Sequence, residues 1–310
     1  MYQGGKGRKT ILLIDALFLL RPSILIPCWT VFIIGNFQKN GLDFGPPFFF
    51  GIGGFTLLMG GVYILNQIFD RESDRINKKL FLLSLGIFPI WLAVFELAIC
   101  WIIGVYLALR VSSQFFTIYL IAWILGILYT IPPLKLKAKP FLDLVANMAG
   151  YGVLTFLLGA VVRKGFNTGL LIWALPYAFA VGGVFVNTTI VDIEGDKRAG
   201  EKTTAIMIGP VAARYLSFIL VATGVILALI NQDNLALIAF IPSLPFFILA
   251  IIKSKRRFDI LSFRLPPFIL SAVAGIVYPP YLLFLAFIIL MMRIYYRKRF
   301  GLVFPSPVGG

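Results

Sequence analysis

The chain is 310 residues long, 60% hydrophobic and only 13% charged, with a net charge of +15 and no histidine. An ordinary soluble domain is about a quarter charged, so this composition excludes a soluble globular enzyme and reads as a membrane protein. Without histidine a zinc site or a Ser-His nucleophile is disfavoured, and Cys28 and Cys100, both in apolar segments, offer no disulfide or metal framework.

In chain order, runs of about 20 apolar residues recur, each long enough to cross a hydrocarbon core of roughly 30 Å. They predict spans over 17–37, 47–68, 82–107, 114–131, 142–162, 168–190, 210–230, 234–252 and 267–292. The expected architecture is an all-α polytopic bundle of about nine helices forming one domain over 1–310, in the cell membrane. The N-terminus is basic and then apolar but shows no small-residue cleavage site, so it is expected to be retained. "GIGGF" and "AVGGV" mark places where helices can approach closely in lipid.

The basic residues sit in short loops between apolar runs, which favours topogenic signals and contacts to anionic lipid or phosphate over nucleic acid. Lys6, Arg8 and Lys9 precede span one. Arg71, Arg75, Lys78 and Lys79 follow span two; Lys135, Lys137 and Lys139 follow span four; Lys197, Arg198 and Lys202 follow span six; Lys253, Lys255, Arg256 and Arg257 follow span eight. All belong on the cytoplasmic side by the positive-inside rule. The final segment disagrees: after a ninth span "RIYYRKRFG" would lie outside. The "YPPY" at 278–281 therefore offers an alternative, a broken or re-entrant segment that returns the tail to the cytoplasm.

Against this background the acids stand out. "NQIFDRESD", residues 66–74, closes span two; if the helix continues, Asn66, Asp70 and Asp74 follow i, i+4, i+8 spacing. Such a row drifts only roughly 40° per four residues, so its oxygens can converge on a cation. "VDIEGDKRAGEKT" repeats the i, i+4 spacing at Asp192 and Asp196 after span six, on the same predicted side. Two facing carboxylate pairs make an all-oxygen site suited to Mg²⁺, which prefers carboxylates, water and substrate phosphate. Either cluster alone also reads as a solvated helix end. Yet Asp70, Glu72, Asp74, Asp192, Glu194, Asp196 and Glu201 account for seven of thirteen acids, a concentration that chance scattering does not produce.

A third stretch, "YTIPPLKLKAK" at 129–139, ends span four. The Pro pair stops the helix, and Lys135 and Lys137 stay near the membrane surface, where ammonium groups can neutralise phosphate oxygens. Tyr129 can donate a hydrogen bond or present its ring to a cation. Alone, this stretch reads equally as a Pro turn with an interfacial Tyr and topogenic lysines.

Together these stretches resemble the UbiA superfamily of intramembrane prenyltransferases. "NQIFDRESDRINKK" looks like its first Asn-x3-Asp-x3-Asp motif, "DIEGDKRAGEKT" like its second Asp-x3-Asp motif, and "YTIPPLKLK" like the loop between them. The chain departs from many members at 80–86, where "LFLLSLG" lacks an Arg and a Pro, and in the middle loop, where position 133 is proline and the lysines come at 135 and 137. The resemblance implies a helical bundle around a central cavity, two Mg²⁺ ions bridging a prenyl diphosphate, and transfer of the prenyl group to a lipophilic acceptor. Its implied metal ligands are Asn66, Asp70, Asp74, Asp192 and Asp196, with Asp70 and Asp192 catalytic. Lys135, Lys137, Arg71 and Lys197 are assigned to the diphosphate, and Phe69 and Tyr129 to the allylic cation.

Glu96, near the middle of predicted span three, is left outside the catalytic set; a protonated carboxyl bonded between helices is as good a reading as a functional one. The acceptor is left open among a quinone precursor, a chlorin, a glyceryl phosphate lipid and another isoprenoid. Two further readings remain beside transfer: a membrane terpene cyclase with no separate acceptor, and a transporter of an anionic lipid. Transporters place their coupling residues near the midplane, whereas these acids sit at one membrane edge.

Overall fold

The computed structural model describes residues 13–37, 44–76 and 82–302. Lys6, Arg8, Lys9, Lys78 and Lys79 lie outside the described residues. Helix α1 (Leu13–Leu19) meets α2 (Pro22–Phe37) at a bend of 52°, with Arg21 between them in the left-handed region at φ 56°. Helix α3 (Pro46–Phe69) is followed directly by the short α4 (Arg71–Ile76), then by α5 (Ile90–Leu109) and α6 (Ser113–Thr130). Helices α7 (Leu142–Asn147) and α8 (Thr155–Lys164) are joined by a π-helical stretch over Met148–Leu154. There follow α9 (Gly169–Arg198), α10 (Thr204–Asn231), α11 (Asn234–Phe240), α12 (Leu244–Lys253), α13 (Arg256–Val277) and α14 (Pro279–Phe300).

The expected all-α, multi-pass architecture is the one observed. Among the described residues nine helical segments are long and apolar enough to cross a membrane, and the bent α1–α2 pair is a further candidate. Helices α2, α3, α8, α9 and α13 pack against several neighbours each, and α5, α6, α10, α11, α12 and α14 flank them. Close approach depends on small residues. A Cβ on Gly159 would stand 1.9 Å from the Phe32 carbonyl oxygen, and one on Gly35 2.2 Å from that of Phe156, so α2 and α8 touch backbone to backbone. The main buried cluster surrounds this contact, with Phe32, Phe55, Phe115, Phe156 and Tyr177 among its fully buried aromatics.

Two predicted boundaries move. The span expected from 82 instead begins as a turn over residues 82–86 with Gly86 at φ 66°, and α5 starts only after Pro89. Glu96 is therefore only about 9 Å along the helix from that end, not at its middle, and one of its carboxyl oxygens is buried without a partner. The single last span expected over 267–292 is two helices, α13 and α14. Tyr278 breaks them at φ −129°, ψ 84°, because Pro279 disfavours helical geometry in the residue before it and cannot donate to the preceding turn.

The break at Tyr278 decides at which end of the bundle α14 finishes. On α14, Arg299 pairs with Asp15 of α1 (Nη2 to Oδ2, 2.9 Å), and the Tyr295 hydroxyl donates to the same carboxylate at 2.6 Å. Gln67, near the end of α3, donates to the Leu19 carbonyl at 2.8 Å. The end of α14 thus lies at the end of the bundle that holds "NQIFDRESD". Among the described residues the expected count of about nine long apolar helices holds; the expectation of a tail at the opposite end does not, because the break at "YPPY", offered above as the alternative, brings "RIYYRKRFG" to the end that carries the other basic loops.

Candidate active site

The first acidic row keeps its helical spacing through the α3–α4 junction. The Asp70 N–H donates to the Asn66 carbonyl at 2.8 Å and the Asp74 N–H to the Asp70 carbonyl at 2.8 Å, so the i, i+4 ladder continues past Phe69. Asn66, Asp70 and Asp74 therefore share a face, and Asp74 is buried. The second row lies within a helix rather than a loop, because α9 extends to Arg198, about two turns beyond its predicted span. Asp192 and Asp196 are one turn apart near its end, and α4 packs against α9. The two rows belong to touching helices.

The middle stretch joins them. Tyr129, on the last turn of α6, lies within electrostatic reach of Asp70, Asp143 and Asp196, one carboxylate from each of three segments. Beside it the Thr130 hydroxyl donates to the Asn66 side-chain oxygen in a short hydrogen bond. The chain then leaves the helix through Pro132 and Pro133 and returns over the site as a strap. On that strap Lys137 forms an ion pair with Asp70, and Lys135 pairs with Glu201 at 2.5 Å, just after the second motif. Lys137 and Asp70 are largely shielded, with side-chain exposures of 12% and 23%. Reduced solvent screening makes such a pair stronger than a surface one.

The predicted site residues thus divide. Asn66, Asp70, Asp74, Asp192, Asp196, Tyr129, Lys135 and Lys137 lie on segments that meet at one end of the bundle. Arg71, Lys197 and Phe69 are on the same segments but exposed, and Arg75 beside Arg71 pairs outward with Glu72 at 2.6 Å. Among the described residues no three of Asp, Glu and Cys are gathered closely enough to hold a metal by themselves. The donor set is nonetheless all oxygen and arrives as pairs on separate helices, which fits a Mg²⁺ that keeps water and takes substrate phosphate as its remaining ligands. Sequence reasoning missed Thr130, Asn147 and Asp143, and gave Glu201 no role. Thr130 and Glu201 are adjacent to quoted motifs, but Asp143 sits in an apolar run with nothing to mark its partner 61 residues away.

The interior beyond Tyr129 is aromatic. Tyr151, on the π-helical stretch, stacks with Tyr63 at 6.5 Å between ring centroids. The widened turn there contains Gly150 and Gly152, and a Cβ on Gly152 would stand 2.3 Å from the Ala178 Cα. A π-turn inside a crossing helix is a costly local choice that is found mostly at functional sites.

Comparison with known proteins agrees with this fold. The UbiA prenyltransferase family matches residues 24–264. Homogentisate phytyltransferase from Synechocystis sp. is 32% identical over 169 residues, 49% of this chain and 52% of that enzyme. Digeranylgeranylglyceryl phosphate synthase from Thermococcus gammatolerans is 33% identical over 166 residues, 52% of this chain and 57% of that enzyme. The chain spans about half the length of the curated relatives it matches. A UbiA homolog from Archaeoglobus fulgidus, solved bound to GPP and Mg²⁺, superposes with a TM-score of 0.67 at 22% identity, over 85% of this chain and 99% of that one. The matched region carries both acidic rows and the lysine strap between them, and the chain belongs to the UbiA prenyltransferase family.

Proposed function

We propose that this chain is a Mg²⁺-dependent intramembrane prenyltransferase that moves a prenyl group from an allylic prenyl diphosphate to a lipophilic acceptor. The observation that carries the reading is the meeting of two aspartate rows, on α3–α4 and α9, under a strap that places Lys137 against Asp70. The A. fulgidus relative bound to GPP and Mg²⁺ supports the donor and the metal.

Breaking the allylic C–O bond sends its electron pair to the diphosphate and leaves a carbocation. The acceptor supplies the pair for the new bond and loses a proton. When bound, Mg²⁺ would supply Lewis-acid stabilisation of the leaving diphosphate, held by Asp70, Asp74, Asp192 and Asp196 with Asn66. Lys137, paired with Asp70, and Lys135, paired with Glu201, neutralise diphosphate oxygens as charge develops. Tyr129 is assigned to the cation, and the aromatic interior beyond it keeps water from trapping that cation. Arg71, Lys197 and Phe69 stay in the proposal as rim residues that meet the diphosphate or its chain at the mouth.

One domain over 1–310, a multi-pass place in the cell membrane, and a site facing the cytoplasm complete the reading, the last because the basic loops and tail share the site's end. The relatives divide on the acceptor, since one is a homogentisate phytyltransferase and the other a digeranylgeranylglyceryl phosphate synthase. Incubating the purified chain with labelled allylic diphosphates of several lengths, Mg²⁺ and a panel of acceptors tests the reaction. A joined product is expected; a cyclised product without acceptor would make it a terpene cyclase, and unchanged diphosphate would refute both.

A further inference from the structure

Asp143 is fully buried at the start of α7, and no step of the chemistry above uses it. Its carboxylate is fully engaged. One oxygen accepts from the Thr204 N–H at 2.8 Å; the other accepts from the Leu144 N–H at 2.8 Å and from the Thr204 hydroxyl in a short hydrogen bond. The Thr204 hydroxyl oxygen in turn accepts from the Phe141 N–H at 2.7 Å. The residues tied in this way end two different loops. Phe141 closes the lysine strap, and Thr204 opens α10 at the end of the loop that follows the second aspartate row.

The strap needs such an anchor. It is bent at both ends by non-glycine residues with positive φ, Lys135 at 35° and Phe141 at 64°, a conformation that persists only when surrounding contacts enforce it. The clamp also reaches Tyr129. Asn147, one turn along α7, donates to the Asp143 carbonyl at 2.8 Å and to the Tyr129 hydroxyl at 3.0 Å.

We propose that Asp143 is a positioning residue which, through Thr204 and Asn147, fixes the lysine strap and Tyr129 over the two aspartate rows and so sets the affinity for the diphosphate. The inference rests on the reaction proposed above. A group that only stabilised the fold would change how much protein folds, not how each folded molecule binds diphosphate. A group that fixes Lys135 and Lys137 changes the diphosphate KM, because misplacing a binding group by about 1 Å costs up to roughly 10²-fold.

The test uses the full chain in detergent or nanodiscs. Asp143→Asn replaces one acceptor oxygen with a donor that cannot receive the Thr204 N–H. In the folded fraction, the KM for the allylic diphosphate should rise about tenfold or more while the KM for the acceptor holds. Thr204→Val, which removes the side-chain half of the clamp, should move the same constant in the same direction, and Thr204→Ser should restore it. These two variants carry the test if Asp143→Asn does not fold. Unchanged diphosphate KM in the folded variants overturns the proposal. If the unaltered chain turns over no prenyl diphosphate, the reaction fails instead, and the clamp is then read from Mg²⁺-pyrophosphate binding. Weaker binding in Asp143→Asn and Thr204→Val supports it, and equal binding overturns it.

Discussion

The contact that ties the tail to the first helix should behave as a buried ion pair with unequal partners. Asp15 is completely buried and accepts from two residues of α14, Arg299 at 2.9 Å and Tyr295 at 2.6 Å, while Phe18 stacks on Tyr295 at 3.6 Å. Arg299→Ala takes the guanidinium away from a buried carboxylate, and breaking a buried pair in this way costs about 3–5 kcal/mol. Asp15→Asn should cost less, about 1–3 kcal/mol, because the amide still accepts from Tyr295 and a long guanidinium stem at a helix end can bring its charge to the membrane surface. The double variant Asp15→Asn, Arg299→Ala should then be less destabilised than the sum, with a coupling of about 1–3 kcal/mol. The assay is a double-mutant cycle on equilibrium unfolding in mixed micelles. Additive losses, or Asp15→Asn as damaging as Arg299→Ala, would refute the pairing and with it the placement of α14.

Other parts of the structure make separate predictions. Gly159→Ala puts a methyl group 1.9 Å from a main-chain oxygen of α2, so it should destabilise by about 1–3 kcal/mol or more, read in the same unfolding assay. A cysteine placed after Arg299 should be labelled by an impermeant thiol reagent from the same side as one placed at exposed Arg75; labelling from opposite sides would contradict the two-helix reading of 256–300. Lys137→Gln should raise the diphosphate KM by about 10- to 100-fold without loss of fold, measured by steady-state diphosphate release, because a charge-assisted contact to phosphate is replaced by a neutral one.

Much of the site was legible because its residues repeat at helical spacing. The rows Asn66-Asp70-Asp74 and Asp192-Asp196 each lie on one face of a local helix, and the i, i+4 rule needs no tertiary knowledge. The strap lysines were legible by chemistry and by the proline pair before them. Partners distant in sequence were not: nothing in "PFLDLVAN" announces that Asp143 will meet Thr204, and nothing near Asn66 points to Thr130. In the fold, hydropathy located apolar runs but left the break between α13 and α14 as one of two readings, because "AGIVYPPYLLF" is continuously apolar and only proline geometry at 279–280, the basis of the "YPPY" alternative, divides it. The same blindness set Glu96 too deep, since "LLSLGIFP" at 82–89 reads as membrane-buried although Gly86 and Pro89 keep it from being helix.

The central claim is that the two aspartate rows act together on one leaving diphosphate, and its direct test is diphosphate release from an allylic substrate by folded Asp70→Asn and Asp192→Asn proteins. Each change keeps side-chain size but removes a charged ligand, so each should lower kcat by about 10² to 10³, with smaller losses for Asp74→Asn or Asp196→Asn if these act through water. Release by the unaltered chain should vanish with EDTA and return with Mg²⁺. Near wild-type rates in Asp70→Asn and Asp192→Asn alike, with or without chelator, would contradict the account and leave both rows as charged helix ends.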